Sequence, residues 1–237
     1  MGVMVLRRET DEVLIGEIAG LKSAWLQSEA FDSLVELNGQ CLELLSEQSL
    51  AQPAHANLLL RQIGEIWRTL DTEGRRRAAS CPYLLVDAGF SDPVRWRAIQ
   101  GEHVSEAVTA TPYTTFFTVP RASAVVHQVF MYAWHLARSK NTSAQLLLGM
   151  PAHCTHLISS CTITQIHELA ERHPEWLRPR WPHRIRVWRE LLLAAASGEV
   201  VALENARMQG LQLLAAECRN ASLQTLKNTN RPPERER

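Results

Sequence analysis

No sign of charge is in excess in this sequence. Its 25 lysines and arginines are matched by 25 aspartates and glutamates over 237 residues. No overall field therefore recruits nucleic acid or an anionic surface, and any such partner must be met by a local patch. Runs approaching the roughly 18–20 apolar residues that span a bilayer are also lacking. The opening stretch MGVMVLRRETDEVL has neither an apolar signal core nor a small-residue cleavage site. These absences predict a soluble, cytoplasmic protein with no membrane partner. The five cysteines, Cys41, Cys81, Cys154, Cys161 and Cys218, are odd in number, scattered and never arranged as C-x-x-C. They read as reduced and mostly buried. No G-x-S-x-G, Walker loop, dinucleotide glycine pattern or H-E-x-x-H occurs, so the sequence indicates neither an enzyme nor a cofactor.

What is present is helical periodicity. With 46% hydrophobic and 21% charged residues, the chain has the composition of a globular protein, large enough for one sizeable core or two small ones. Phe31, Leu34, Cys41, Leu42 and Leu45 share one helical face, with Asp32, Glu36, Glu43 and Glu47 outside. Pro53 suits the first turn of the next helix, whose stripe Leu59, Ile63, Ile66 and Leu70 follows at spacings of four, three and four. Arg75-Arg76-Arg77 reads as a charged helix end. The run Tyr83-Leu84-Leu85-Val86 reads as one short strand or a buried turn, and Asp87, Gly89 and Asp92 as turn chemistry rather than a ligand loop. Residues 100–122, rich in threonine and containing Pro112 and Pro120, mark the boundary between the halves. A long helix then runs to about Arg138, apolar over so wide an arc that it predicts burial on more than one side. Val125, Val129, Tyr132 and Leu136 on one of its stripes are the expected dimer interface.

Three short helices come next. Thr142 or Ser143 caps the first and Gly149 ends it; Pro151 opens the second; Thr162 with Gln165 forms a capping box for the third, which Pro174 stops. Ile163, Ile166, Leu169 and Ala170 make its core face, and Thr164, His167, Glu168, Glu171 and Arg172 its exposed face. The fold class expected is all-α: a multi-helix protein with a helix-turn-helix-like module of short helices in its second half. The two carboxylates on the third helix are unfavourable beside phosphates, so a small helical packing module for protein contacts stands equally open.

Basic residues concentrate just afterwards. Arg172, Arg178, Arg180, Arg184, Arg186 and Arg189 are interleaved with Trp176, Trp181 and Trp188, with Glu175 the one acid opposing them up to position 189. Guanidinium forks bind phosphate and indoles pack on sugars, so these six arginines are the candidate DNA- or partner-binding set. Ile185, Trp188, Leu191, Leu192 and Ala195 form a core stripe that makes Trp188 structural. His153, Cys154, His156, Cys161, His167 and His173 cluster in sequence, yet their spacing does not converge on a tetrahedral zinc site, and no metal is expected.

Tyr132, Leu136-Ala137-Arg138, Ala144, Leu148-Gly149-Met150, Ile158, Thr162, Gln165-Ile166 and Leu169-Ala170-Glu171, followed by the arginine-rich segment, resemble the FlhD family of flagellar transcriptional activators. The resemblance spans about residues 132–193. It implies a helical, dimer-forming transcriptional regulator of bacterial origin that acts on DNA with an FlhC-like partner subunit. The organisation expected is therefore a helical region over 1–110, an FlhD-like module over 120–196, a C-terminal helix over 197–222 and a disordered tail over 223–237. In that helix Met208, Leu211, Ala215 and Cys218 share a face that closes the core or meets a partner.

Overall fold

The computed structural model describes residues 29–51, 57–99, 115–139 and 141–229. Pro53, Pro112 and residues 230–237 of the expected tail lie outside the described residues. The architecture is all-α, as the periodicity predicts. Among the described residues ten α-helices run in the order α1 (Glu29–Ala51), α2 (Leu58–Thr69), α3 (Thr72–Ala79), α4 (Pro93–Ile99), α5 (Ala122–Ser139), α6 (Asn141–Leu148), α7 (Ala152–Ser160), α8 (Ile163–Arg172), α9 (Ile185–Ser197) and α10 (Val200–Thr229). The same residues hold two two-residue strands, β1 (Val86–Asp87) before α4 and β2 (Arg178–Pro179) before α9, which pair antiparallel with Val86 opposite Pro179.

Local chemistry starts and stops these helices. Asn57 Oδ1 accepts from the Leu59 amide at 3.0 Å, and Asp71 Oδ1 from the Gly74 amide at 2.6 Å, so α2 and α3 each begin on a side-chain cap. Gly149 ends α6 with a φ of +67°, a left-handed conformation that glycine adopts without strain. The Thr162–Gln165 capping box closes in both directions: Gln165 N–H donates to Thr162 Oγ1 at 3.2 Å, and Thr162 N–H to Gln165 Oε1 at 2.8 Å. Ile163, expected in the core, is instead 55% exposed, while Ile166, Leu169 and Ala170 are buried.

α5 is the platform of the fold. α6, α7, α8 and α1 all pack on it, and α9 is held between α2, α3 and α10. One buried core runs from Leu34 in α1 to Leu214 in α10. The two halves therefore do not fold around separate cores: the boundary expected at 100–122 separates segments that share an interior.

Side-chain hydrogen bonds tie distant segments together, both within the first half and across to the second. Asn38, fully buried in α1, donates to the carbonyls of Ala79 and Tyr83 at 3.0 Å each and accepts from the Leu85 amide at 2.8 Å. It thereby satisfies the irregular backbone of the Tyr83–Leu85 run, which a sheet would otherwise have to do. Of that run, only the following Val86 enters a strand, so the buried-turn alternative describes Tyr83–Leu85. Asp87 Oδ1 accepts from the Phe90 amide at 3.2 Å and Gly89 has a φ of +74°, the turn chemistry expected there. Arg77 Nε donates to the Ala195 carbonyl at 2.7 Å, placing a cation on the C-terminal end of α9.

α10 is longer than expected, reaching Thr229, so residues 223–229 of the expected tail are helical. Of the two roles expected for the Met208, Leu211, Ala215 and Cys218 face, closing the core falls mainly to other residues. Leu203, Ala206, Gly210 and Leu214 are buried, whereas Met208 and Ala215 are exposed and Leu211 and Cys218 half-buried. The reason lies at Gly210, where the helix backbone runs against the Tyr83 ring.

Candidate nucleic-acid and partner interface

The tryptophans between the arginines are interior residues. Trp176 sits edge-on to Trp96 and Phe130, with the His173 ring stacked on it at 4.5 Å and the Arg95 guanidinium 4.9 Å from its centroid. Trp181, at the one positive φ of a non-glycine among the described residues (48°), packs tilted on Tyr83 and donates from Nε1 to Glu217 Oε1 at 2.6 Å. Trp188 is buried as expected and donates from Nε1 to the Arg180 carbonyl at 2.7 Å. All three indole N–H groups or faces are spent inside the chain, and none is presented to a base or sugar.

The six arginines divide into three groups. Arg180 is corrected from surface to core: it is 5% exposed, its Nε donates to the Leu84 carbonyl at 2.7 Å and its Nη2 to the Leu148 carbonyl. A guanidinium buried among these acceptors, with Nη1 3.9 Å from Glu217 Oε2, ties the Leu84 and Leu148 segments to its own and is shielded from phosphate. Arg178 is half-buried beside Asp87 at 3.8 Å, and Arg172 is paired with Glu168 one helical turn back at 3.3 Å. Arg184, Arg186 and Arg189 are exposed at the start of α9. Of these, Arg186 contacts Glu190 at 2.6 Å and remains 86% exposed. α9 opens with no side-chain cap and no acidic residue in its first turn. Arginine there adds to the positive end of the helix dipole instead of compensating it.

The expected dimer residues are also interior. Val125, Val129 and Leu136 are at most 2% exposed, and the Tyr132 hydroxyl donates to the Ala30 carbonyl at 2.6 Å. Burial pushes that hydroxyl's pKa upward. The wide apolar arc of α5 is satisfied by α1, α6, α7 and α8 of the same chain. A second copy would have to use another surface.

The exposed face of α8 matches expectation: Thr164, His167, Glu168, Glu171 and Arg172 all face solvent. His167 sits between His127 of α5, with Nδ1 2.8 Å from His127 Nε2, and Glu171, 3.2 Å from its Nε2. Cys154 and Cys161 of the set-aside cluster are buried, with the Cys154 thiol pushed up to about 12 by desolvation and Cys161 Sγ 3.4 Å from the Leu157 carbonyl. Among the described residues no three His, Cys, Asp or Glu side chains converge as a metal-binding group, and no helix is long and apolar enough to cross a membrane.

Asn38, His127 and Arg207 were not singled out by sequence reasoning. Asn38 had a readable signal, since it interrupts an otherwise apolar stripe. Arg207, which donates to the Arg77 carbonyl at 3.0 Å and to Ser80 Oγ, had none for these ties, because both acceptors lie far away in sequence and the local pair, Glu204 at 2.8 Å, does not point to them. In comparisons with known proteins, no family model, curated protein or solved structure matches the chain.

Proposed function

We propose that this chain is a helical, FlhD-like subunit of a cytoplasmic gene-regulatory assembly. It acts as a dimer or with an FlhC-like partner and touches DNA through the first two turns of α9. The observation that carries the reading is the exposed trio Arg184, Arg186 and Arg189 at a helix start with no opposing acid in its first turn. Arg184 and Arg189, with Arg186 already beside Glu190 at 2.6 Å, suit a few backbone phosphates, which position a protein on a duplex without reading its bases. The α8 face, with Glu168 and Glu171, is the surface for a protein partner rather than for the major groove.

The test is fluorescence anisotropy of the full chain, alone and with its co-purified partner, on duplex DNA over a salt series. Arg184→Ala with Arg189→Ala should lower the slope of log affinity against log salt by about 2. No affinity at about 50 mM salt, with or without the partner, would sink the DNA reading.

A protein-interaction adaptor that neither binds DNA nor catalyses is the second reading. It is favoured by the exposure of Val200, Val201, Met208 and Leu223 along α10 and its approach. A pull-down with a stable partner but no DNA would select it.

A further inference from the structure

The geometry points to a two-histidine site for a borderline divalent cation, of the Zn²⁺ and Ni²⁺ class, between His127 Nε2 on α5 and His167 Nδ1 on α8. This site is independent of the DNA reading.

The two nitrogens lie 2.8 Å apart with their rings nearly perpendicular, at 85°. They come from residues 40 apart in sequence, on helices that pack directly together. His167 Nε2 is 3.2 Å from Glu171 Oε1. A carboxylate there holds the proton on Nε2, which leaves the Nδ1 lone pair facing His127. Histidines that bind metals characteristically give their second ring N–H to a carboxylate, which orients the ring and raises its basicity.

Without an ion, a single proton lies between the two rings: His127 Nε2–H donates to His167 Nδ1. An ion takes the place of that proton, and His127 adopts its other neutral tautomer with the proton on Nδ1. Bond lengths of about 2.0–2.1 Å in a tetrahedral arrangement require the nitrogens to part by roughly 0.5 Å. Side chains at half-exposed and exposed positions give that distance by small rotations; His167 is 55% exposed. The remaining coordination positions are open to water. Imidazole nitrogen favours zinc and nickel over magnesium and calcium, which require oxygen. Bridging α5 and α8, a bound ion staples the third short helix to the platform of the fold.

The experiment is calorimetric titration of the full chain with Zn²⁺ and, separately, Ni²⁺, together with thermal melts. One ion per chain is expected, with Tm rising by roughly 5–10 °C at a hundredfold excess over Kd. His127→Gln and His167→Gln should each weaken binding by more than about tenfold, and Glu171→Gln by up to about tenfold, with metal-free melting unchanged. His156→Ala and His183→Ala, at exposed histidines elsewhere, should leave binding as it was. Copper(II) bound at the site should show two nitrogen ligands by electron paramagnetic resonance in the parent chain and one in either histidine variant. Mg²⁺ should not compete. Absence of binding, or binding that survives His127→Gln with His167→Gln, overturns the site.

Discussion

Gly210 and Tyr83 are in direct contact: the backbone of α10 lies on the Tyr83 ring so closely that a Cβ at position 210 would overlap the ring and its hydroxyl. Glycine in a helix interior costs about 1 kcal/mol against alanine, so its presence there reflects this approach. Gly210→Ala should destabilise despite its better helix propensity, by about 1–3 kcal/mol for overpacking. Urea denaturation checks this. Combining it with Tyr83→Ala should cost less than the sum of the two single changes, because the pair shares one volume.

Arg180 and Arg184 sit four residues apart and should behave oppositely. Arg180→Met leaves the Leu84 and Leu148 carbonyls without their donor, a loss of about 2–6 kcal/mol at roughly 1–3 per buried group. Arg184→Ala changes an exposed side chain and should stay within about 0.5 kcal/mol. Chemical denaturation of both variants decides it. Only the second is a usable probe of DNA contact.

Glu217 provides a pH signature. Burial raises its carboxyl pKa, an effect that nearby Arg180 and the Trp181 hydrogen bond partly offset. A carboxyl whose pKa is higher folded than unfolded holds more protons in the folded state, so its contribution to stability falls as pH rises through the carboxylate range. Glu217→Gln keeps an oxygen acceptor for Trp181 and removes that dependence. The stability of the variant relative to the parent should therefore increase from about pH 4 to pH 7, measured as the difference in urea midpoints at each pH.

The thiols should titrate in two classes. Cys41, Cys81, Cys154 and Cys161 are buried and Cys218 is half-buried; desolvation pushes Cys81 to about 12 and raises Cys218 too. With an aromatic disulfide reagent at neutral pH, Cys218 should react slowly in the native protein and the other four only after unfolding. Rapid reaction of two or more native thiols would contradict the packing.

Much of the fold was legible where it is decided within a few residues. The stripe Leu59, Ile63, Ile66 and Leu70, the stop at Gly149 and the Thr162–Gln165 box depend on neighbours within one or two helical turns. What was not legible depends on distant partners. Arg180 lies in a basic run that reads as solvated, yet its acceptors are 96 and 32 residues away. Val125, Val129, Tyr132 and Leu136 were correctly apolar, but periodicity alone does not say whether a buried stripe meets its own chain or another. Of the two roles open to the Met208 and Leu211 face of α10, residue type favours closing the core, whereas shape at Tyr83 gives the core position to Gly210 and leaves Met208 at the surface. Within the candidate site, the arginines were readable as residues but not their separation into a buried tether and an exposed trio.

The hydrogen bonds that cross between the halves carry one more consequence. A fragment beginning at the connector would take Tyr132, Arg180 and Arg207 with it and leave behind Ala30, Leu84 and Arg77, whose carbonyls they use. Its complement would keep Arg77 and lose the end of α9 that Arg77 caps. Each piece would lose hydrogen-bond partners and core surface that the other supplies. Produced separately, they should be insoluble or molten and recover structure by complementation when mixed, so any partner of this protein meets both halves as one body.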